Sequence, residues 1–141
     1  MGMAALAVSR PAANNTAPKQ FSGSSMAVEI RPSQALRLLH EVSHALVTDG
    51  EPDLSARQLD VLFTIYLEPP PHTVRGLAAK LGVTKPVITR ALDTMGKLEL
   101  VSRRRDERDR RNVVVQRTVK GALHVERLGD LVVAKAKELP R

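Results

Sequence analysis

The sequence lacks cysteine and tryptophan, and its only Phe and Tyr residues are Phe21, Phe63 and Tyr66. Without cysteine, disulfides, thiolate metal sites, iron–sulfur clusters and cysteine-based redox sensing are excluded for this chain. The core must therefore be built from Leu, Val, Ile and Ala, which favours packed helices. No run of eighteen apolar residues is present and residues 1–8 are too short for a signal-peptide core, so we expect no membrane segment and a cytoplasmic location.

Positive charge is concentrated in one segment. The net charge is +7, yet residues 73–120 hold thirteen Lys or Arg against five Asp or Glu, a balance of +8. The rest of the chain holds nine basic and ten acidic residues. A focused basic region attracts polyanions, because each neutralised phosphate releases a condensed counterion. The alternative is a generic basic surface that only aids solubility.

Two parts of the chain differ in composition. Residues 1–32 are rich in Ala, Ser, Asn, Pro and Gly without periodicity, which predicts a disordered extension. Whether the native start is Met1 or Met26 stays open. Residues 33–141 are predicted to form one domain, beginning with a helix that Ser33 caps and that ends at residues 50–52.

The pattern of the next segments predicts a helix-turn-helix. A second helix opens at residues 54–55 and stops at the prolines 69–71. Thr73 then caps a helix over residues 74–81, Gly82 follows in a left-handed conformation, and Thr84 caps a helix that runs to about residue 97. Two helices joined by a short turn with glycine form a helix-turn-helix.

After this motif the apolar spacing changes to that of strands. Residues 100–104 and 112–117 flank a charged turn and predict a β-hairpin. Thr118 then caps a last helix over residues 119–139. The fold class is thus mainly α with a small antiparallel β-hairpin, a winged helix-turn-helix flanked by N- and C-terminal helices.

The second helix of this motif, near residues 84–96, is the candidate recognition helix for the DNA major groove. Arg90 can read a guanine edge, Thr89 or Pro86 can contact a thymine methyl, and plain solvated charge is the alternative. At the start of the preceding helix, Thr73 and Arg75 are placed for phosphate contacts. The candidate DNA-binding residues outside the hairpin are Thr73, Arg75, Thr84, Lys85, Pro86, Thr89 and Arg90.

The hairpin turn contains six arginines interleaved with three acids: Arg103, Arg104, Arg105, Asp106, Glu107, Arg108, Asp109, Arg110 and Arg111. Arginine suits a narrow minor groove and forked pairing with carboxylates. We therefore expect the acids to hold the loop through ion pairs with arginine, leaving one arginine free at the tip. Arg105, Arg108 and Arg110 complete the candidate DNA contacts.

The run from Leu54 to Gly121 resembles the MarR family of winged-helix transcription regulators. The resemblance rests on residues 54–62, 73–78 and 106–111 and on the Thr-Val-Lys-Gly of residues 118–121. It implies that Arg108 is the arginine that enters the minor groove, and that Arg111 with Asp109 or Asp106 braces the wing. The implied function is sequence-specific binding of double-stranded DNA, as a repressor released by a small-molecule effector.

The resemblance also implies a homodimer formed by helices at both chain ends. The sequence departs from the family here, because one helix of about twenty residues follows the wing before Arg141. Residues 36–46 and 128–133 are candidates for the dimer interface, with intramolecular core as the alternative.

His40-Glu41-Val42-Ser43-His44 spells H-E-x-x-H, the helix pattern of zinc peptidases. No further ligand has motif support, so we predict no metal, no cofactor and no enzyme. A metal shared by dimer partners stays the alternative to a plain helix face. A winged-helix protein-interaction module without specific DNA readout is the rival function.

Overall fold

The computed structural model describes residues 29–49 and 52–141, and residues 31–141 form one compact unit. The predicted disordered extension over residues 1–32 lies outside the described residues except for residues 29–32, and Met1 and Met26, the two possible starts, both lie outside them. The elements, in chain order, are α1 (Pro32–Thr48), α2 (Ala56–Leu67), β1 (His72–Thr73), α3 (Val74–Leu81), α4 (Lys85–Lys97), β2 (Val101–Arg105), β3 (Val113–Arg117) and α5 (Val119–Lys137). This order is that of a winged helix-turn-helix flanked by helices, and the predicted fold class is confirmed.

Three of the helices begin where short polar side chains accept an amide hydrogen bond. Ser55 Oγ accepts from Gln58 N at 3.1 Å, and the Thr73 and Thr118 hydroxyls accept from the amides of Gly76 and Gly121 at 2.9 Å. Such caps satisfy backbone donors that have no partner inside the helix. The predicted caps at Thr73 and Thr118 are therefore confirmed.

The start of α1 differs from the prediction that Ser33 caps it. Arg31 is the N-cap and Pro32 occupies the first turn, so Ser33 already lies inside the helix. Proline is favoured there, because its φ is preset for the helix and its missing amide would have no partner. The Gln34 side chain also accepts a hydrogen bond from Arg31 N at 3.1 Å, which closes the turn.

The sheet has three strands rather than the two of the predicted hairpin. β2 and β3 pair antiparallel with Arg103 opposite Val115, and the two-residue β1 adds to the other edge of β3 through His72 and Val115. The sheet thereby fixes the start of α3 against the hairpin, because Thr73 belongs to β1 and caps α3.

Aliphatic side chains and one methionine form the centre of the core. The fully buried members come from α2 and α4, and α3, β2, β3 and the residue before β2 close the core around them: Val61, Leu62, Ile65, Ile88, Leu92, Met95, Leu77, Val101, Val115 and Leu100. Full burial of one such side chain contributes about 1.5–3 kcal/mol to the free energy of unfolding. The core therefore holds α4 rigidly while leaving its opposite face outside.

Helices α1 and α5 pack against each other through one face each. Ala45 and Leu128 are buried between them, so part of the predicted dimer interface is intramolecular core. The outer faces remain apolar, with Leu36 69% and Leu39 63% exposed on α1 and Val133 53% exposed on α5. The intramolecular alternative therefore holds for Ala45 and Leu128, and the dimer interface stays a prediction for the outer faces.

Across residues 29–49 and 52–141, every helix is too short or too polar to span a bilayer.

Candidate nucleic-acid interface

The outer face of α4 is polar and exposed to solvent. Gly82 adopts the predicted left-handed conformation, with φ of 66°, and turns the chain from α3 into α4. Lys85, Thr89 and Arg90 are exposed on that face, and Thr84 is its N-cap, although its hydroxyl accepts no capping hydrogen bond. Pro86 is also exposed. Among the described residues, none of these side chains has a hydrogen-bond or ion-pair partner.

The one acid on this face is neutralised by the hairpin. Arg103 Nη2 of β2 lies 2.7 Å from Asp93 Oδ1 of α4. Both residues line an open groove of about 560 Å³ between the helix and the strand. The pair offsets the negative charge of Asp93 and joins α4 to the hairpin.

The start of α3 lies beside the sheet rather than free in solvent. The Thr73 hydroxyl is engaged in its capping bond with Gly76 N, whereas Arg75 is exposed and has no side-chain partner among the described residues. Thr73 and Arg75 were both predicted to contact phosphates, and of the two only Arg75 has a side chain without a hydrogen-bond or ion-pair partner among the described residues.

The loop of the wing is held by carboxylates that accept backbone amides. Asp106 Oδ1 accepts from Arg108 N at 2.9 Å, and Asp109 Oδ1 accepts from Arg111 N at 3.1 Å. Asp side chains commonly form such turns by accepting from the backbone two residues along the chain. The ion pairs expected for the loop are reduced to Arg111 Nε at 3.7 Å from Asp109, with the Arg111 side chain 92% exposed. Asp106 makes no ion pair within the described residues.

The arginines of the wing divide into braces and free side chains. Arg105 Nη1 donates to the carbonyl of Arg110 at 2.9 Å across the loop, so its guanidinium braces the hairpin in this structure. Arg104, Arg108 and Arg110 are exposed, and their side chains have no partner among the described residues. Arg108 lies between the two turns made by Asp106 and Asp109, at the end of the wing.

The base of the wing is held by Tyr66 and Arg117, a role that the sequence did not reveal. Tyr66 Oη donates to the Leu100 carbonyl at 2.6 Å, just before β2, and accepts from Thr118 N at 3.0 Å, just after β3. Arg117 donates to the carbonyls of Ile65 and Glu68 at 2.7 and 2.9 Å, at the C-terminal end of α2. The wing is thus anchored at both ends to the core helix α2. The only sequence signal for this anchoring role was a single tyrosine on an apolar helix face. That position predicted packing in the core and not hydrogen bonds to the wing.

The histidine pair of α1 lies away from this surface. His40 and His44 are exposed, with ring centroids 6.2 Å apart, and Glu41 pairs with Arg37 at 3.7 Å. In the described part of the chain, no group of three or more His, Asp or Glu residues is arranged to hold a metal ion.

Comparisons with known proteins agree with this geometry. A mutant of MepR from S. aureus is 20% identical, with a TM-score of 0.62 over 77% of this chain and 81% of that chain. The transcriptional regulator Tm0710 from Thermotoga maritima is 25% identical, with a TM-score of 0.56 over 74% of this chain and 68% of that chain. The transcriptional repressor CouR, solved on a 23-mer DNA duplex, is 24% identical, with a TM-score of 0.60 over 75% and 72%. No curated protein matches the chain.

The family model that matches is that of the MarR family, over residues 54–113. This span runs from two residues before α2 to the first residue of β3 and contains α4 and the loop of the wing. The predicted resemblance is confirmed for this span: residues 54–113 match the model of the MarR family, and the chain has the winged helix-turn-helix fold.

Proposed function

We propose that this protein is a transcription regulator that binds double-stranded DNA in a sequence-specific manner and represses transcription. The observation that carries the proposal is the outer face of α4, where Thr84, Lys85, Thr89 and Arg90 are exposed and have no side-chain partner within residues 29–49 and 52–141. A helix with such a face fits the width of the major groove. The core beneath it holds the face rigid, which favours specific contacts.

The proposed roles follow from the free side chains. Arg90 donates to the edge of a guanine, while Thr89 and Pro86 contact bases or a thymine methyl. Arg108 at the end of the wing, with Arg110, enters the adjacent minor groove, where the negative potential attracts guanidinium groups. Arg75 contacts a phosphate and sets the register of the helix.

Similarity to CouR supports both the proposed DNA binding and the proposed repression. That protein is described as a transcriptional repressor and was solved on DNA. By analogy, we propose that the present protein acts on DNA in the cytoplasm as a repressor and not as an enzyme.

We further propose that the regulator is a homodimer. Large apolar side chains cover the outer faces of its terminal helices, Leu36, Leu39 and Val47 on α1 and Val119, Leu123 and Val133 on α5. Large exposed apolar side chains that gather into a patch mark protein interfaces. A pocket of about 240 Å³ between α1 and α5 is the proposed space for a small-molecule effector.

Selection of bound sequences from random duplexes at physiological salt tests the function. Recovery of a palindrome with half-sites about one helical turn apart, roughly 10 base pairs, is expected for a dimer with two recognition helices. The matched control is Arg90→Ala in the same selection, which should lose the preference for guanine at one position in each half-site. Absence of any consensus, together with affinity that collapses as salt rises, contradicts sequence-specific regulation.

A further inference from the structure

Helix α4 is flanked by two grooves that use different sets of its residues. The groove toward the wing is lined by Asp93, Gly96 and Lys97 of α4. A second groove, of about 190 Å³, is lined by Arg90, Thr94 and two apolar residues of α4 together with Ser55, Arg57 and Gln58 at the start of α2. We call this second groove the α2–α4 groove.

The α2–α4 groove is basic and lacks a counter-charge. Arg57 and Arg90 both line it, both are exposed, and no Asp or Glu of the described residues lines it. Neither guanidinium has an ion-pair or hydrogen-bond partner among those residues. By contrast, Arg103 is paired with Asp93 in the other groove. Two unpaired guanidinium groups beside one groove repel each other, and an anion bound there relieves that repulsion.

The backbone under Arg57 is fixed in place. Gln58 Oε1 accepts from Ser55 N at 2.8 Å while Ser55 Oγ accepts from Gln58 N at 3.1 Å, which closes a reciprocal cap around Arg57. The fully buried Leu62 of α2 and Ile88 of α4 belong to the same core, which fixes the two helices relative to each other. Arg57 is therefore presented from a rigid base rather than from a loop.

A helix in the major groove has a phosphate backbone along each rim. The wing extends from the side of α4 that carries Asp93, and Arg57 lies on the side that carries Thr94. We propose that Arg57 binds a backbone phosphate of the DNA on the rim away from the wing, next to Arg90, which stays free for a base edge. This proposal rests on the proposed function, because it requires α4 to lie in the major groove.

The test compares the salt dependence of DNA binding for the wild type, Arg57→Ala, Arg57→Lys and Arg127→Ala. Arg127→Ala is the matched control, since Arg127 is an exposed arginine on α5 and its loss changes the net charge equally. Loss of one phosphate contact should lower the slope of log K against log salt by about 0.9 per bound chain, which is about fourfold in affinity per chain at about 0.2 M salt. Arg57→Lys should keep the slope, and base preference should be unchanged in all variants, as expected for a phosphate contact.

The outcomes separate the two proposals. If Arg57→Ala has the same slope and affinity as Arg127→Ala, or if it changes base preference, the phosphate assignment is wrong while DNA binding stands. If the wild type itself does not bind duplex DNA at low salt, the proposed function is wrong. Unchanged thermal unfolding of Arg57→Ala shows that the comparison concerns binding and not folding.

Discussion

The hydroxyl of Tyr66 offers a sharp test of how the wing is anchored. It donates to the Leu100 carbonyl at 2.6 Å and accepts from Thr118 N at 3.0 Å, so one oxygen joins both ends of the hairpin to α2. Tyr66→Phe removes that oxygen and keeps the ring. We expect the variant to fold with a less stable and more mobile wing.

The magnitude follows from the two hydrogen bonds. Each bond contributes about 1 kcal/mol net to the free energy of unfolding, and half-buried backbone groups left without partners cost up to about 1 kcal/mol more. Tyr66→Phe should therefore lower the free energy of unfolding by about 2–3 kcal/mol. For a domain of about this size, 1 kcal/mol corresponds to roughly 4 °C, so Tm should fall by about 8–12 °C. The amide of Thr118 should also exchange with solvent faster, because its acceptor is gone.

Calorimetry and hydrogen exchange together measure both effects. Thr48→Val is the matched control, since it removes a hydroxyl that donates to the His44 carbonyl of its own exposed helix at 2.9 Å. That control should change stability by less than about 0.5 kcal/mol. A Tm of Tyr66→Phe within about 2 °C of the wild type, with Thr118 exchange unchanged, would refute the anchoring role.

Three further substitutions test other parts of the structure. Gly121→Ala places a Cβ in collision with Tyr66 Oη and the Leu100 carbonyl, and we expect a loss of about 3 kcal/mol in urea unfolding; stability within about 1 kcal/mol of the wild type contradicts that packing. Arg108→Ala should weaken DNA binding by about 1–3 kcal/mol without lowering Tm, and unchanged affinity discards the minor-groove role. Leu39→Glu, at a site 63% exposed on α1, should shift the protein from dimer to monomer in sedimentation, whereas a persistent dimer excludes α1 from the interface.

Most helix positions could be predicted from the sequence because their signals are local. Thr73 and Thr118 accept from amides three residues along the chain, and Gly82 ends α3 through its left-handed conformation. The observed limits of α3, Val74–Leu81, equal the predicted ones. The outer face of α4 was also predictable, since the spacing of its buried residues determines which side chains point outward. The Ser33 cap was wrong because the helix starts at Pro32, two residues earlier than a cap at Ser33 implies.

Features set by distant pairing could not be predicted in this way. β1 is two residues long and exists only through its pairing with β3, so no periodicity marks it. The bonds of Tyr66 reach residues 34 and 52 positions away, and a single sequence carries no signature of such contacts. Within the wing, composition pointed to acid–arginine pairs, yet Asp106 and Asp109 reach nearby amides first because their side chains are short.

Thr118 serves two elements at once. It follows β3 directly, its amide is bonded to Tyr66, and its hydroxyl both caps α5 and donates to the Glu99 carbonyl at 2.7 Å. The hydrogen bonds of Thr118 therefore hold the end of the wing and the start of α5 firmly together. Because of these bonds, we expect a rotation of α5 to move the hairpin with it. The distance between two wings in a dimer would then be set by how their α5 helices meet, far from any base pair.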